Sequence, residues 1–136
     1  MGRNKKSDQV KEGVEFEIQF LEGVLRTSPN FIEALINLGD LYTKNGSYEK
    51  GLLVDLKLAA LRPDDSMILY NLACSYSLVH DLEKSFEVMK SAIHKGYLDF
   101  DYLEKDDDLI NLRQFPAFNS FFADTKTKTK APSLKK

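Results

Sequence analysis

An internal repeat with a period of 34 residues constrains the fold of this chain more than any other feature of its sequence. When the sequence is aligned with itself at that offset, identical or similar residues coincide across one full period. The pairs include Leu35 with Leu69, Asn37 with Asn71, Leu38 with Leu72, Gly39 with Ala73, and Tyr42 with Tyr76. Leucine and tyrosine recur at i, i+3 and i+7 in each copy, which places them along one face of a helix. A period of this length indicates a helix–turn–helix unit that packs against copies of itself.

Turn and capping residues predict where these helices begin and end. Gly46 is expected to end the first helix of its pair, because glycine tolerates the left-handed conformation found there. Ser47 and Asp81 are predicted N-caps of the second helices. Pro63 cannot continue a helix, and residues 64–66 are expected to cap the next one. The predicted helices cover about 8–27, then 31–45 paired with 48–61, and 66–79 paired with 82–95.

The repeated residues resemble the tetratricopeptide repeat (TPR) family. The first copy reads Leu-x-x-Leu-Gly-x-x-Tyr at Leu35, Leu38, Gly39 and Tyr42, with Gly46 and Tyr48 at the turn and Pro63 as terminator. The second copy has Leu69, Leu72, Ala73 and Tyr76 at the corresponding positions. The resemblance extends over about residues 14–98. It implies an all-α fold in which antiparallel helix–turn–helix repeats stack in a right-handed superhelix.

The repeat also predicts how the chain is divided. A flexible basic N-terminus (1–7) precedes a single TPR-like domain (8–122), and a disordered Lys-rich tail (123–136) follows it. The domain comprises a half repeat (8–31), two repeats (32–65 and 66–98) and a C-terminal cap (99–122). The half repeat is expected to present one apolar face made of Phe20, Leu21, Val24 and Leu25. The cap is expected to cover the open end of the stack with Phe100, Leu103, Leu109, Leu112, Phe115, Phe118 and Phe122.

One residue departs from the family pattern in a way that affects packing. Asp55 stands where the family usually has an aromatic side chain, and Leu53 or Leu56 is expected to fill the resulting gap.

Composition and charge exclude several classes of function. The single cysteine rules out an internal disulfide, and no apolar run approaches the length of roughly 18 residues that a membrane span needs. The net charge of −2 is uneven, with +2 on residues 1–8, +4 on residues 124–136 and −8 between them. Because an acidic core repels phosphate backbones, no nucleic-acid partner is predicted. No secretory signal follows the N-terminus, and a cytoplasmic location without membrane association is expected.

The sequence carries no recognisable catalytic or cofactor site. His80 and His94 have no partner at metal or triad spacing, and Cys74 is interpreted as an inert or weakly exposed thiol in the second helix pair. The acidic run at residues 106–108 lacks the glycine and the twelfth-position glutamate of a calcium-binding EF-hand loop, and is interpreted as a solvated helix cap. We therefore predict a protein that is not an enzyme, without cofactor or metal.

The resemblance instead implies a peptide-binding groove, since the first helix of each repeat lines a concave surface in this family. The candidate groove residues are Glu33, Ile36, Asn37, Asp40 and Lys44 in the first unit, and Met67, Tyr70, Asn71, Cys74 and Leu78 in the second. Asn37 and Asn71 match a position where the family often uses an amide to hold a peptide backbone. The alternative is that these are ordinary surface residues, with Tyr70 and Met67 packed against the adjacent helix.

The predicted function is a non-catalytic protein–protein interaction module, an adaptor or assembly factor whose partner is another protein or a peptide segment. An alternative is a structural protein that self-associates, forming a homo-oligomer through the N-terminal helix. A chaperone-docking role is disfavoured, because Glu33, Ile36 and Met67 occupy the positions that are basic in the carboxylate clamp of that subfamily.

Overall fold

The computed structural model describes residues 5–130, with side-chain surroundings for residues 10–129, and this part of the chain is almost entirely helical. The helices are α1 (Lys5–Thr27), α2 (Ile32–Lys44), α3 (Tyr48–Leu61), α4 (Ser66–Leu78), α5 (Leu82–His94), α6 (Phe100–Lys105), α7 (Ile110–Arg113) and α8 (Pro116–Lys130), with a 3₁₀ turn at Asp107–Leu109 before α7. None of the helices within this range is both long enough and apolar enough to cross a lipid bilayer.

The helices form two antiparallel pairs, α2 with α3 and α4 with α5, which stack through contacts between α3 and α4. The single helix α1 packs against α2 at one end of the stack, and the short C-terminal helices pack against α4 and α5 at the other. This arrangement confirms the predicted fold of stacked helix–turn–helix repeats with a C-terminal cap. The boundaries of α2 to α5 agree with the predicted ones to within one residue, because the repeat period and the residues at the turns specify the same helix ends.

Two small apolar clusters join the N-terminal layers. Ile18 of α1 is buried with Leu38 and Tyr42 of α2, and a second cluster formed by Leu35, Leu58 and Ile68 connects α2, α3 and α4. The predicted apolar face of α1 is wrong in one member. Phe20 is 62% exposed, because α1 turns Ile18 and Leu21 toward α2 and leaves Phe20 on another face.

The largest cluster lies between the second repeat and the cap. Leu103, Leu109, Leu112 and Phe118 are fully buried there. Phe86 of α5 receives the edges or faces of three cap rings, with centroids 5.6–6.2 Å away, from Phe115, Phe118 and Phe121. The predicted capping residues therefore do cover this end of the stack. Helix α8 continues through Lys130, beyond the predicted end of the cap at 122, and residues 131–136 of the predicted tail lie outside the described range.

Three predicted N-cap residues stand at N-cap positions, and two of them make a capping hydrogen bond. The Asp65 carboxylate accepts from the backbone N–H groups of Met67 and Ile68, and Asp81 accepts from that of Lys84. Ser47 stands at the N-cap position of α3, but its hydroxyl makes no capping hydrogen bond. The Ser47 N–H donates to the carbonyl of Tyr42 at 2.8 Å, a bond that closes the end of α2. Helix α3 begins with the Gly51 N–H donating to the Ser47 carbonyl at 3.0 Å.

His80 is held in a strained backbone conformation by the repeat geometry. Its φ is +65°, and it occupies the position that Gly46 fills in the first repeat with a φ of +81°. A left-handed conformation costs a residue with a side chain roughly 1–2 kcal/mol. Glycine avoids this cost, but it loses more backbone entropy on folding, which cancels part of the gain. We therefore expect His80→Gly to raise the free energy of unfolding by about 1 kcal/mol in urea denaturation. His80→Ala is the matched control, since it removes the ring but keeps the strain, and an equal gain in both variants would contradict this explanation.

Candidate functional site

A cavity of about 200 Å³ opens between the first helices of the two repeats, with α3 behind it. Six of the ten predicted groove residues line this cavity, namely Ile36, Asn37, Asp40, Asn71, Cys74 and Leu78. Its other lining residues are Gly39, Thr43, Asp55, Leu58, Ser75 and Asp108. The structure thus brings the central candidates of α2 and α4 together around one concavity.

The remaining candidates lie apart from this cavity. Glu33, Lys44 and Met67 are exposed on the same two helices, and the Lys44 ammonium group pairs with the Asp40 carboxylate one turn earlier at 3.0 Å. Asp40 therefore lines the cavity with its carboxylate already paired with the exposed ammonium group of Lys44.

Tyr70 does not present its ring to the groove, and this part of the prediction is wrong. The residue is only 2% exposed, because the chain after α5 folds back over it. Its ring stacks on that of Tyr97 with centroids 4.3 Å apart, and its hydroxyl donates to the Asp106 carboxylate at 2.6 Å. The structure supports the alternative, in which Tyr70 is a packing residue.

Asp55 forms the floor of the cavity and is 8% exposed. One of its carboxylate oxygens accepts a hydrogen bond from the Ser75 hydroxyl of α4 at 2.5 Å. Gly39 leaves room for the other oxygen, since a methyl group added at Gly39 would lie 3.1 Å from it. Burial raises the pKa of Asp55 to about 6, and the nearby Asp40 adds to the rise, while the Ser75 hydrogen bond opposes it.

The expectation that Leu53 or Leu56 fills the space at Asp55 is wrong. Leu53 is 66% and Leu56 38% exposed, because both project from the outer side of α3. In place of the aromatic side chain expected from the resemblance, this position has a polar contact with Ser75 and open cavity volume.

Asp108 is a charged cavity residue that the sequence did not suggest as part of the groove. It belongs to the acidic run interpreted as a solvated cap, and the 3₁₀ turn brings it to the cavity edge. The first member of the run, Asp106, does cap this turn by accepting from the Asp108 N–H at 3.0 Å. Partial burial and the carboxylates of Asp106, Asp107 and Asp40 raise the pKa of Asp108. Three carboxylates, from α2, α3 and the cap, therefore face one small space.

Cys74 lines the cavity but is not activated for chemistry. It is buried, its sulfur lies 3.8 Å from an Asp106 oxygen, and burial next to carboxylates raises the pKa of the thiol well above its ordinary value. A thiol held in its protonated form is a poor nucleophile. Both histidines are exposed, and no group of three or more potential metal ligands forms within residues 5–130.

Comparisons with known proteins bear on the fold. No family model matches the sequence. Two solved structures resemble the chain over most of its length: the MamA 41-end structure from Desulfovibrio magneticus RS-1 and a MamA RS-1 ArsTM double mutant, each with a TM-score of 0.59 and 23% identity. The two matches cover 83% and 85% of this chain and 68% and 69% of the respective MamA chains. The fold is TPR-like.

One curated relative shows similarity in sequence. It is a chloroplastic protein from Arabidopsis thaliana that is 31% identical over 81 residues, which is 57% of this chain. The chain spans about a quarter of that relative's length, since the match covers 24% of it.

Proposed function

We propose that this protein is a non-catalytic protein–protein interaction module whose groove between α2 and α4 binds an extended segment of a partner protein. The segment is proposed to place a lysine or arginine side chain in the cavity. The observation that carries the proposal is a buried carboxylate, Asp55, at the floor of an open cavity whose wall holds two further carboxylates, Asp40 and Asp108.

Two exposed amides support binding of an extended backbone. Asn37 and Asn71 occupy equivalent positions in α2 and α4 and border the same cavity. Each amide offers both donors and an acceptor, so it can pair with the N–H and C=O groups of one peptide unit. Two such amides at the spacing of successive repeats favour a segment that lies across both helices.

The carboxylates support a basic side chain in that segment. A buried acid with a raised pKa destabilises the protein when it is ionised, and a cation placed beside it lowers that energetic cost. Asp55 is held in place by Ser75, so little ordering is needed when a ligand arrives. Ile36 and Leu78 provide apolar wall for the methylene groups of a lysine or arginine.

A peptide array that varies one position among Lys, Arg, Leu and Glu tests this preference. We expect the full chain to retain peptides with Lys or Arg flanked by apolar residues. With the best such peptide, Asp108→Asn is expected to weaken binding by about tenfold, which corresponds to ~1.4 kcal/mol. Fluorescence anisotropy at two salt concentrations measures the change, and the effect should shrink at high salt.

Asp107→Asn is the matched control, because Asp107 is adjacent and exposed but does not line the cavity. It removes the same charge and should change affinity by less than about twofold. Selection of acidic peptides by the array, or equal effects of the two variants, would contradict the groove assignment.

A further inference from the structure

Helix α1 carries a second apolar face that no helix within residues 5–130 covers. Val10, Phe16 and Phe20 lie on it and are 64%, 70% and 62% exposed. Ile18 lies on the other side of the helix, buried against α2. Gly13 lies between the exposed residues, and apart from its chain neighbours and the backbone of α1 no atom lies within 4 Å of the place where its side chain would be.

The internal repeat shows what this face does elsewhere in the molecule. At the offset of 34 residues, Phe16 and Phe20 correspond to Lys50 and Val54 of α3. Those residues contact the first helix of their own pair, since the Lys50 ammonium lies 5.7 Å from the Tyr42 ring and Val54 packs on the cluster around it. The exposed face of α1 is therefore the one on which a repeat places a neighbouring helix.

The two ends of the stack differ in a way that limits how copies can associate. The end formed by α5 is closed, because Phe86 is covered by Phe115, Phe118 and Phe121 of the cap. Head-to-tail stacking would require the cap to leave, whereas two α1 ends can meet directly. Contact between the same surface on two copies is isologous, and it produces a closed dimer.

The charge along α1 favours one orientation for such a pair. Residues 5–11 carry a net charge of +2 and residues 12–22 a net charge of −4. An antiparallel arrangement sets the basic end of each helix beside the acidic part of the other, whereas a parallel one sets like charges together. A crossing at Gly13 permits close approach and places Val10 opposite Phe16 of the second copy.

We propose that two copies of this chain form an antiparallel dimer through the face of α1 defined by Val10, Gly13, Phe16 and Phe20. This surface is separate from the groove, and the proposal does not rest on peptide binding. An interface of one helix face per copy is at the small end of protein interfaces, so the dimer is expected to be weak and dependent on concentration.

Sedimentation equilibrium of the full chain, from low micromolar to about 1 mM, tests the dimer. The mass is expected to rise from 15.5 kDa toward twice that value. Phe20→Glu should keep the protein monomeric with an unchanged helical circular dichroism spectrum, since Phe20 is exposed in the monomer. Leu53→Glu is the matched control, because Leu53 is 66% exposed on α3 and lies off this face, and it should dimerise like the parent.

Engineered cysteines test the orientation, since Cys74 is buried and does not compete for oxidation. Gly13→Cys should form a disulfide-linked dimer, and Val10→Cys should cross-link to Phe16→Cys in preference to either variant with itself. A monomer at all concentrations, a dimer that Phe20→Glu leaves intact, or cross-linking of Phe16→Cys mainly to itself would each overturn the proposal. A monomer would indicate that another protein or a further segment of chain covers this face.

Discussion

Replacing Tyr70 with alanine is expected to lower the free energy of unfolding by about 3–5 kcal/mol, the usual cost of truncating a buried aromatic residue. Tyr70 is 2% exposed, stacks on Tyr97 and donates its hydroxyl to Asp106, so it fastens the cap to the second repeat. Because small domains have a total stability of about 5–15 kcal/mol, the loss should be plain in urea denaturation at 25 °C.

Tyr70→Phe separates the contribution of the ring to stability from that of the hydroxyl group. It keeps the stacking area and removes only a hydrogen bond to a carboxylate, so a smaller loss of about 1–2 kcal/mol is expected. If Tyr70→Ala stays as stable as the parent and loses only peptide binding, the ring belongs to the groove after all, and the packing described for it is wrong.

Asp55→Asn is expected to stabilise the protein at neutral pH by about 2–3 kcal/mol. The pKa of Asp55 is about 6 in the folded protein, above the ordinary value of 3.8, so folding favours the protonated form. The stabilising contribution of the protonated acid is complete below pH 4 and is lost as the pH rises through 6. Two pKa units correspond to about 3 kcal/mol, and asparagine retains an oxygen that can accept from Ser75.

Urea denaturation of the parent and the variant from pH 4 to 8 measures this difference directly. The two stabilities should lie close together near pH 4, separate mainly as the pH rises from 4 to 6, and differ by a nearly constant amount above that. Asp40, Asp108 and Cys74 also line the cavity near Asp55, and taking the difference at each pH removes the part of their titration that the two proteins share. A constant difference across the range would show that Asp55 does not titrate as described.

The same variant connects stability with the proposed function. An acidic residue that weakens the fold at neutral pH is the kind of residue that a binding site retains at a cost in stability. Asp55→Asn should therefore gain stability while losing affinity for basic peptides, and a stabilised variant that binds them as well as the parent would count against the cavity as their site.

The parts of the fold that follow from local chemistry were predictable from the sequence. The repeat period and the stop at Gly46 placed α2 to α5 to within one residue, and Asp65 and Asp81 capped the helices that they were expected to cap. These features depend on residues close to one another in the chain. The capping residues of the C-terminal segment were also predictable, because packing large apolar side chains against the open end of a stack stabilises the fold.

The errors at Tyr70 and Asp108 arise where the cap breaks the symmetry of the repeat. Tyr70 corresponds to Ile36 at the 34-residue offset, and Ile36 does line the cavity. The cap folds back only on the second repeat, so Tyr97 and Asp106 cover Tyr70 and leave Ile36 open. Asp108 was missed for the same reason, since no local pattern shows that an acidic turn will reach a cavity formed by helices 30 or more residues earlier.

The unequal ends of the stack give its unfolding a direction. In an array whose layers contact only their neighbours, each layer opens at a free energy set by its own contacts. Helix α1 is attached to α2 through the small cluster around Ile18, whereas α5 is enclosed by the aromatic rings of the cap. Backbone amides of α1 should exchange with solvent deuterium first, and those of α4 and α5 last, so that fraying proceeds from the N-terminal layer toward the cap.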